Sequence, residues 1–153
     1  MADPTPLFPV SFYFSLSFSS KGNQNDGAFK EASGIAMDIG TEEVTCGGEN
    51  RFKYKLPGVA SFQNLVLKRG MIPKKSALTS WIDSTLGGGL IKPIQPTTIT
   101  LKMLGANKSP VVTWTFANAY PVKWSVSDFN SMDNNLSVET LEFAYTYFKR
   151  KEN

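Results

Sequence analysis

The chain has 153 residues, room for one domain whose core needs no disulfide or metal staple. Its 41% hydrophobic and 19% charged residues exclude a disordered chain, and 11 Phe, 5 Tyr and 3 Trp favour strands over helices. The 16 basic and 13 acidic side chains are spread along the sequence, and a formal charge of +3 is too mild to argue for nucleic acid.

The first predicted element is the clearest. Phe8, Val10, Phe12, Phe14, Leu16 and Phe18 alternate with Pro9, Ser11, Tyr13, Ser15, Ser17 and Ser19, a period of two that means a long strand with one buried face. The other face is nearly all serine and should meet water. "KGNQNDG" at 21–27 reads as a turn or loop. A second strand is predicted over 29–39, with Phe29, Ile35, Met37 and Ile39 in one parity and Gly34 at a bulge.

"TEEVTCGGENRFKYKLPGVA" then runs about twenty residues with paired glycines, mixed charge and a Leu-Pro-Gly turn. Phe52, Tyr54 and Leu56 alternate within it, so residues 41–59 are expected to form an extended arm. Its apolar side chains are buried only if something outside the domain covers them. "SFQNLVLKRG" at 61–70 reads as a strand ended by Gly70.

One helix is predicted, over 73–87, where Ala77, Leu78, Trp81, Ile82 and Leu86 share a face at helical spacing. Pro73 lies near its start and Gly87 just past its end. Trp81 is read as a core plug. Strands return with Ile99, Leu101 and Met103 alternating against Thr98, Thr100 and Lys102, and "GANKSP" makes the turn.

In "VVTWTFANAYPVKW" a strand carrying Val112, Trp114 and Phe116 stops at a corner around Pro121. A second then carries Val122, Trp124 and Val126, and both tryptophans are expected to seal the core near Trp81. A last strand over 136–148 places Leu141, Phe143, Tyr145 and Tyr147 on one face. About seven strands and one helix predict a single mainly β domain over 1–153, an antiparallel sandwich or barrel with a packed helix and a long projecting loop.

"MADPTPLFPV" has no basic start, continuous apolar core or cleavage site, so synthesis in the cytoplasm without a signal peptide is expected. No run approaches the length of a membrane span. With Cys46 the only cysteine, no intrachain disulfide can form. The sequons at Asn107 and Asn135 are then chance matches.

The chain contains no histidine, which removes His-based general bases, Ser-His-Asp triads and most zinc sites. Cys46 has Glu42, Glu43 and Glu49 for sequence neighbours, which oppose a thiolate nucleophile. Glu139 with Glu142, or Glu42 with Glu43, could be weighed as an acid and base pair. On a strand, however, Glu139 and Glu142 point to opposite faces, and solvated charges are the simpler reading. "CGGEN" lacks the ending of a phosphate loop, and "LGGGL" follows a helix instead of opening one. Asp38, Glu42, Glu43 and Glu49 do not have calcium-loop spacing. The expectation is therefore no catalytic residue, no cofactor, no metal and no enzyme.

What survives is a binding or structural protein. Strands with one oily and one small-polar face, as in "FPVSFYFSLSFSS" and "TTITLKM", could join a larger shared barrel with the polar face toward water. Closed rings also remove exposed strand edges, and a ring interface can stack into a tube. The alternative is a stand-alone β-sandwich module binding anionic ligands through Lys68, Arg69, Lys74, Lys75 and the tail Lys149-Arg150-Lys151.

"GIAMDIGTEEVTCGGENRFKYKLPGVASFQNLVLKRG", the helix with Trp81, and "VVTWTFANAYPVKWSVSDFNSMDNNLSVETLEFAYTYF" together resemble the tail tube proteins of contractile phages and of phage-tail-like contractile injection systems. The ordered parts are Gly-Gly-x-Asn, Leu-Pro-Gly, Leu-Lys-Arg-Gly, Trp-x-Phe-x-x-Ala-x-Pro-x-Lys-Trp and Val-Glu-Thr-Leu-Glu, and they cover almost the whole chain. The resemblance implies a homo-hexameric ring that stacks into a hollow tube inside a contractile sheath. Further implied partners are a baseplate or hub, a terminator and tube paralogues, with protein cargo or DNA in the lumen. The subunit would be a β-sandwich whose strands join a continuous inner barrel. A long loop would reach the neighbouring ring, and Gly47, Gly48, Asn50, Phe52, Tyr54, Leu56, Pro57 and Gly58 become candidate contact residues. The particle would be released by lysis, and the family has no catalytic residues to transfer.

Overall fold

The computed structural model describes residues 13–18, 24–48, 50–71, 76–89, 91–127 and 137–152. The order is β1 (Tyr13–Phe18), β2 (Gln24–Phe29), β3 (Glu31–Ser33), β4 (Met37–Val44), β5 (Tyr54–Phe62), β6 (Leu65–Gly70), α1 (Ala77–Leu86), β7 (Thr97–Leu104), β8 (Pro110–Val126), β9 (Val138–Ala144) and β10 (Tyr147–Glu152). Every pairing is antiparallel. The fold is mainly β with a single helix among the described residues, as the composition predicts.

The main sheet runs β2-β1-β7-β8-β9-β6-β3, with β10 also on β8. It is two sheets sharing one strand. The N-terminal half of β8 pairs with β7 and β10, and its C-terminal half with β9. The crossing point is Asn118, at φ 52, where β8 has one extra residue opposite the step from Thr97 to Ile99 on β7. The β9–β10 junction lies alongside it, where Thr146 N–H donates to Ala117 O at 2.9 Å. The chain therefore does not stop and restart at Pro121, as its sequence suggests. One 17-residue strand bends at a bulge, and a bulge bends a strand without ending it.

The bulge also changes which residues face inward. Val112 and Phe116 are buried before it, Ala119 and Pro121 after it, because an extra residue reverses the alternation. A second irregularity between Pro121 and Lys123 restores the first parity, so that Trp124 pairs with Leu141. Val122, expected inside, is exposed, and Trp124 remains 46% exposed at the open end of the sheet. Trp114 packs against the core as expected, but Trp124 seals nothing near the helix.

The core lies between the two sheets and under α1: Leu16, Phe18, Phe29, Leu65, Leu67, Leu78, Ile82, Ile99, Leu101, Phe116, Leu141 and Phe143. The extreme strands curl toward each other until β2 touches β6, which gives the sandwich a barrel-like closure. Helix α1 starts at Ala77, where Ser76 Oγ accepts from Thr79 N–H at 3.2 Å, and ends with Gly87 N–H donating to Asp83 O at 2.9 Å. The expected start at Pro73 lies outside the described residues. Leu78 and Ile82 are buried, while Ala77 and Leu86, at the two ends of the ten-residue helix, stay exposed. Trp81 does plug the core, its ring stacked on Phe18 at 6.0 Å and on Phe143 at 5.9 Å.

Other boundaries differ from those expected from the sequence. Residues 24–27, expected in a loop, begin β2, and residues 29–39 form no single strand. Gly34, at φ 78, turns the chain out of β3, and Met37 and Ile39 continue into a separate ribbon. The last predicted strand is two, and Tyr147 is exposed in place of joining Leu141 and Phe143 inside. Phe8, Val10, Phe12 and Leu136 lie outside the described residues.

Candidate assembly interface

The segment expected to project is a two-stranded ribbon, β4 with β5, that forms a sheet of its own. From Met37↔Phe62 to Val44↔Tyr54 it is about eight residues long, hence roughly 25 Å. No residue of β4 is buried and none of Tyr54–Ser61 is. Gly47 and Gly48 form the turn at the tip, Gly48 at φ 92, and Asn50 follows them on the return, with Phe52 next. Pro57 and Gly58 do not make a turn. They lie inside β5, where the step from Ile39 to Thr41 opposes the longer step from Ala60 to Pro57, a bulge at Gly58 and Val59. A Cβ on Gly58 would come to 3.0 Å from Gly40 O, so the two glycines let the backbones approach where the ribbon bends.

Register divides the ribbon's apolar side chains between its two faces. Val44, Tyr54 and Leu56 share one face near the tip, with the Phe52 ring edge-on to Tyr54 at 5.2 Å. Met37 and Ile39 belong to the opposite face near the base. All are exposed, from 40% for Val44 to 59% for Met37, and Val59 at the bulge is 90% exposed. Sequence reasoning finds the tip residues and misses Met37, Ile39 and Val59. The signal for the first two is their alternation, which reads equally well as a core-facing strand.

The residues weighed for chemistry are dispersed. Glu139 is not solvated: it is buried with Arg69, whose Nε donates to Glu139 Oε2 at 2.7 Å, and Trp124 Nε1 donates to Oε1 at 2.7 Å. Glu142, on the other face, accepts from Asn64 Nδ2 at 2.9 Å. The two carboxylates therefore share no cleft. Glu43 pairs with Lys53 at 3.5 Å on the ribbon, Cys46 is exposed at its tip, and Glu49 lies outside the described residues. Among the described residues no group of three or more His, Cys, Asp or Glu could hold a metal ion.

The residues of the anion-binding alternative fall on different strands, Lys68 and Arg69 on β6 and Lys149, Arg150 and Lys151 on β10. Lys68 pairs with Glu31 at 3.5 Å and Arg69 is buried. Lys74 and Lys75 lie outside the described residues. A groove of about 440 Å³ passes Lys30, Glu31, Lys68, Ser125 and Thr140, with both signs of charge on its walls. Burial raises the Tyr145 phenol above its usual range, and its hydroxyl has no hydrogen-bond partner among the described residues, an environment made by packing against Phe62, Phe116 and Phe148.

Comparison with known proteins follows the same direction. The profile of the family described as T4-like virus tail tube protein gp19 matches residues 10–149. A chain in the cryo-EM structure of the anti-feeding prophage baseplate, 6-fold symmetrised, is 26% identical, with a TM-score of 0.81 over 98% of both chains. A chain of the sheath-tube complex of the extracellular contractile injection system PVC, in the extended state, has a TM-score of 0.79 at 19% identity, over 97% of this chain and 95% of that one. Hcp1 from Salmonella typhimurium shares the fold at a TM-score of 0.57 and 17% identity, over 93% and 87%. No curated protein sequence matches.

Proposed function

From the premise that this chain belongs to the T4-like tail tube protein gp19 family, we propose that it forms hexameric rings that stack into the inner tube of a contractile injection particle. The single observation that carries the reading is the ribbon. A two-stranded sheet with Met37, Ile39, Val44, Tyr54, Leu56 and Val59 in water is unstable as a free surface, since isolated hairpins are marginal and exposed apolar ribbons seek a partner. A second copy of the chain supplies that partner on each side, and the division of apolar residues between two faces suits two neighbours. The tip, with Gly47, Gly48, Asn50, Phe52, Tyr54 and Leu56, reaches one of them. The base around Pro57 and Gly58 meets the other.

The remaining partners follow from the same premise. A sheath protein encloses the tube and drives it through a target envelope on contraction, a baseplate or hub and a terminator close its ends, and protein cargo or DNA occupies the lumen. Paralogues of this chain can take some positions. The chain acts by stiffness and shape, not by catalysis. It assembles into the particle and leaves the cell by lysis. No helix of the described residues is long and apolar enough to cross a membrane.

Electron microscopy of the purified protein at high concentration tests the reading: rings or tubes are expected. A species that stays monomeric at every concentration and salt, by sedimentation, would overturn it.

A further inference from the structure

On the face of the main sheet that looks away from the core, register sets Ser15, Lys102, Thr113 and Lys151 side by side across β1, β7, β8 and β10. The next such row passes Thr100 and Thr115 and ends at Lys149. All three lysines are exposed, and among the described residues none is in an ion pair. Alternation places no Asp or Glu of these four strands on this face: Glu152 pairs with Val112, on the core-side parity, and binds Arg150 at 2.7 Å. The face is thus a surface of hydroxyls and unneutralised ammonium groups. Its exposed large side chains among the described residues are two tyrosines, Tyr13 at 53% and Tyr147 at 43%.

We propose that this face lines the channel and that the channel carries polypeptide cargo of net negative charge. The inference rests on the tube reading above and names its cargo class. Two strand spacings separate Lys102 from Lys151, roughly 10 Å, and two residues separate Lys149 from Lys151, roughly 7 Å. Such dilute charge repeated around every ring raises the local concentration of an acidic protein without fixing it in place. Duplex DNA, with a negative charge every ~1.7 Å of axis, is the poorer match. The face has no arginine for bidentate phosphate contacts, because Arg150 has the other parity. Its exposed tyrosines, Tyr13 on β1 and Tyr147 on β10, stand at opposite corners and cannot stack successive bases.

The test uses assembled tubes, counted by electron microscopy, sedimented with fluorescent polyglutamate, polylysine or a short DNA duplex at low salt. Wild-type tubes should retain polyglutamate and lose it as salt rises. Tubes of K102E/K149E/K151E should retain it about tenfold less and retain polylysine instead. The milder K102Q/K149Q/K151Q gives the same loss without charge reversal, should the reversed variant fail to assemble. Tubes that form but ignore polyglutamate, or that hold it equally in either variant, overturn the inference and leave the tube reading standing. Retention of the duplex above polyglutamate overturns it in favour of nucleic acid cargo. Wild-type protein that forms no rings or tubes overturns both.

Discussion

Arg69 Nε donates to Glu139 Oε2 at 2.7 Å across the β6–β9 pair, with both residues almost fully removed from water. The Arg69 guanidinium also lies 5.1 Å from the centre of the Phe29 ring, and Trp124 Nε1 takes the second carboxylate oxygen of Glu139. The charges are therefore satisfied on several sides at the open end of the sandwich, where β2, β6, β8 and β9 come together. Breaking such a pair leaves one charge buried and uncompensated.

Glu139→Ala should accordingly lower unfolding free energy by about 3–5 kcal/mol, read from urea denaturation. Replacing both partners by apolar residues, R69M with E139L, should recover most of that loss, since the buried charges then disappear together. Equal instability in the single and double variants would show that packing volume, not charge, is what the pair supplies.

The same pair shows how far the sequence can be read. That Glu139 and Glu142 face opposite ways, and so form no catalytic dyad, follows from alternation alone. That Glu139 is buried does not, because its partner Arg69 is 70 positions away and only strand register brings them together. Trp81, Leu78 and Ile82 are legible as a core-facing helix stripe for the converse reason: their spacing is local. The misplacement of Val122 and Trp124 comes from two irregularities in β8, the bulge at Asn118 and the one between Pro121 and Lys123. Asn118 adopts a positive φ within an unbroken strand, and nothing in "TFANAY" distinguishes that bulge from a corner. Likewise the alternation of Met37 and Ile39 is real, but alternation gives the two faces of a strand without saying whether either is covered.

Gly34 marks the root of the ribbon. At φ 78, a Cβ there would overlap the backbone oxygen of Asn64, which has no side-chain freedom with which to yield. Gly34→Ala should cost about 3 kcal/mol or more, combining backbone strain with overpacking. A lowered urea midpoint with an unchanged slope is the expected signature.

Tyr145 links stability to alkaline pH. Burial disfavours its phenolate, so in the folded chain it ionises above the ordinary 10.0 while the unfolded chain ionises at that value. The folded state then holds the proton more tightly. This contribution is fully present below about pH 10 and is lost as pH rises toward the folded pKa. Tyr145→Phe should flatten the alkaline limb of the stability curve. At neutral pH it should be neutral or stabilising by up to ~1 kcal/mol, because the hydroxyl it removes has no partner among the described residues. Marked destabilisation at pH 7 would mean the hydroxyl is paired after all.

The ribbon offers a clean separation of folding from assembly. Tyr54 and Leu56 are each 50% exposed, and the register of β4 with β5 is held by backbone hydrogen bonds, so neither side chain supports the core of the isolated subunit. Tyr54→Ser with Leu56→Ser should shift unfolding free energy by about 0.5 kcal/mol per site or less, as surface substitutions do. The same double variant should abolish tubes in electron micrographs, because a polar tip has no reason to leave water. Met37→Ser with Ile39→Ser, on the other face, should interrupt a different contact, leaving some smaller species on sedimentation. Deleting residues 47–55 is the blunter version of the tip experiment, with a folded monomer expected that does not stack. A cooperative loss of the whole fold in the tip variants would mean that the ribbon belongs to the domain's own core, and the assignment of these side chains to a neighbouring copy would fall with it.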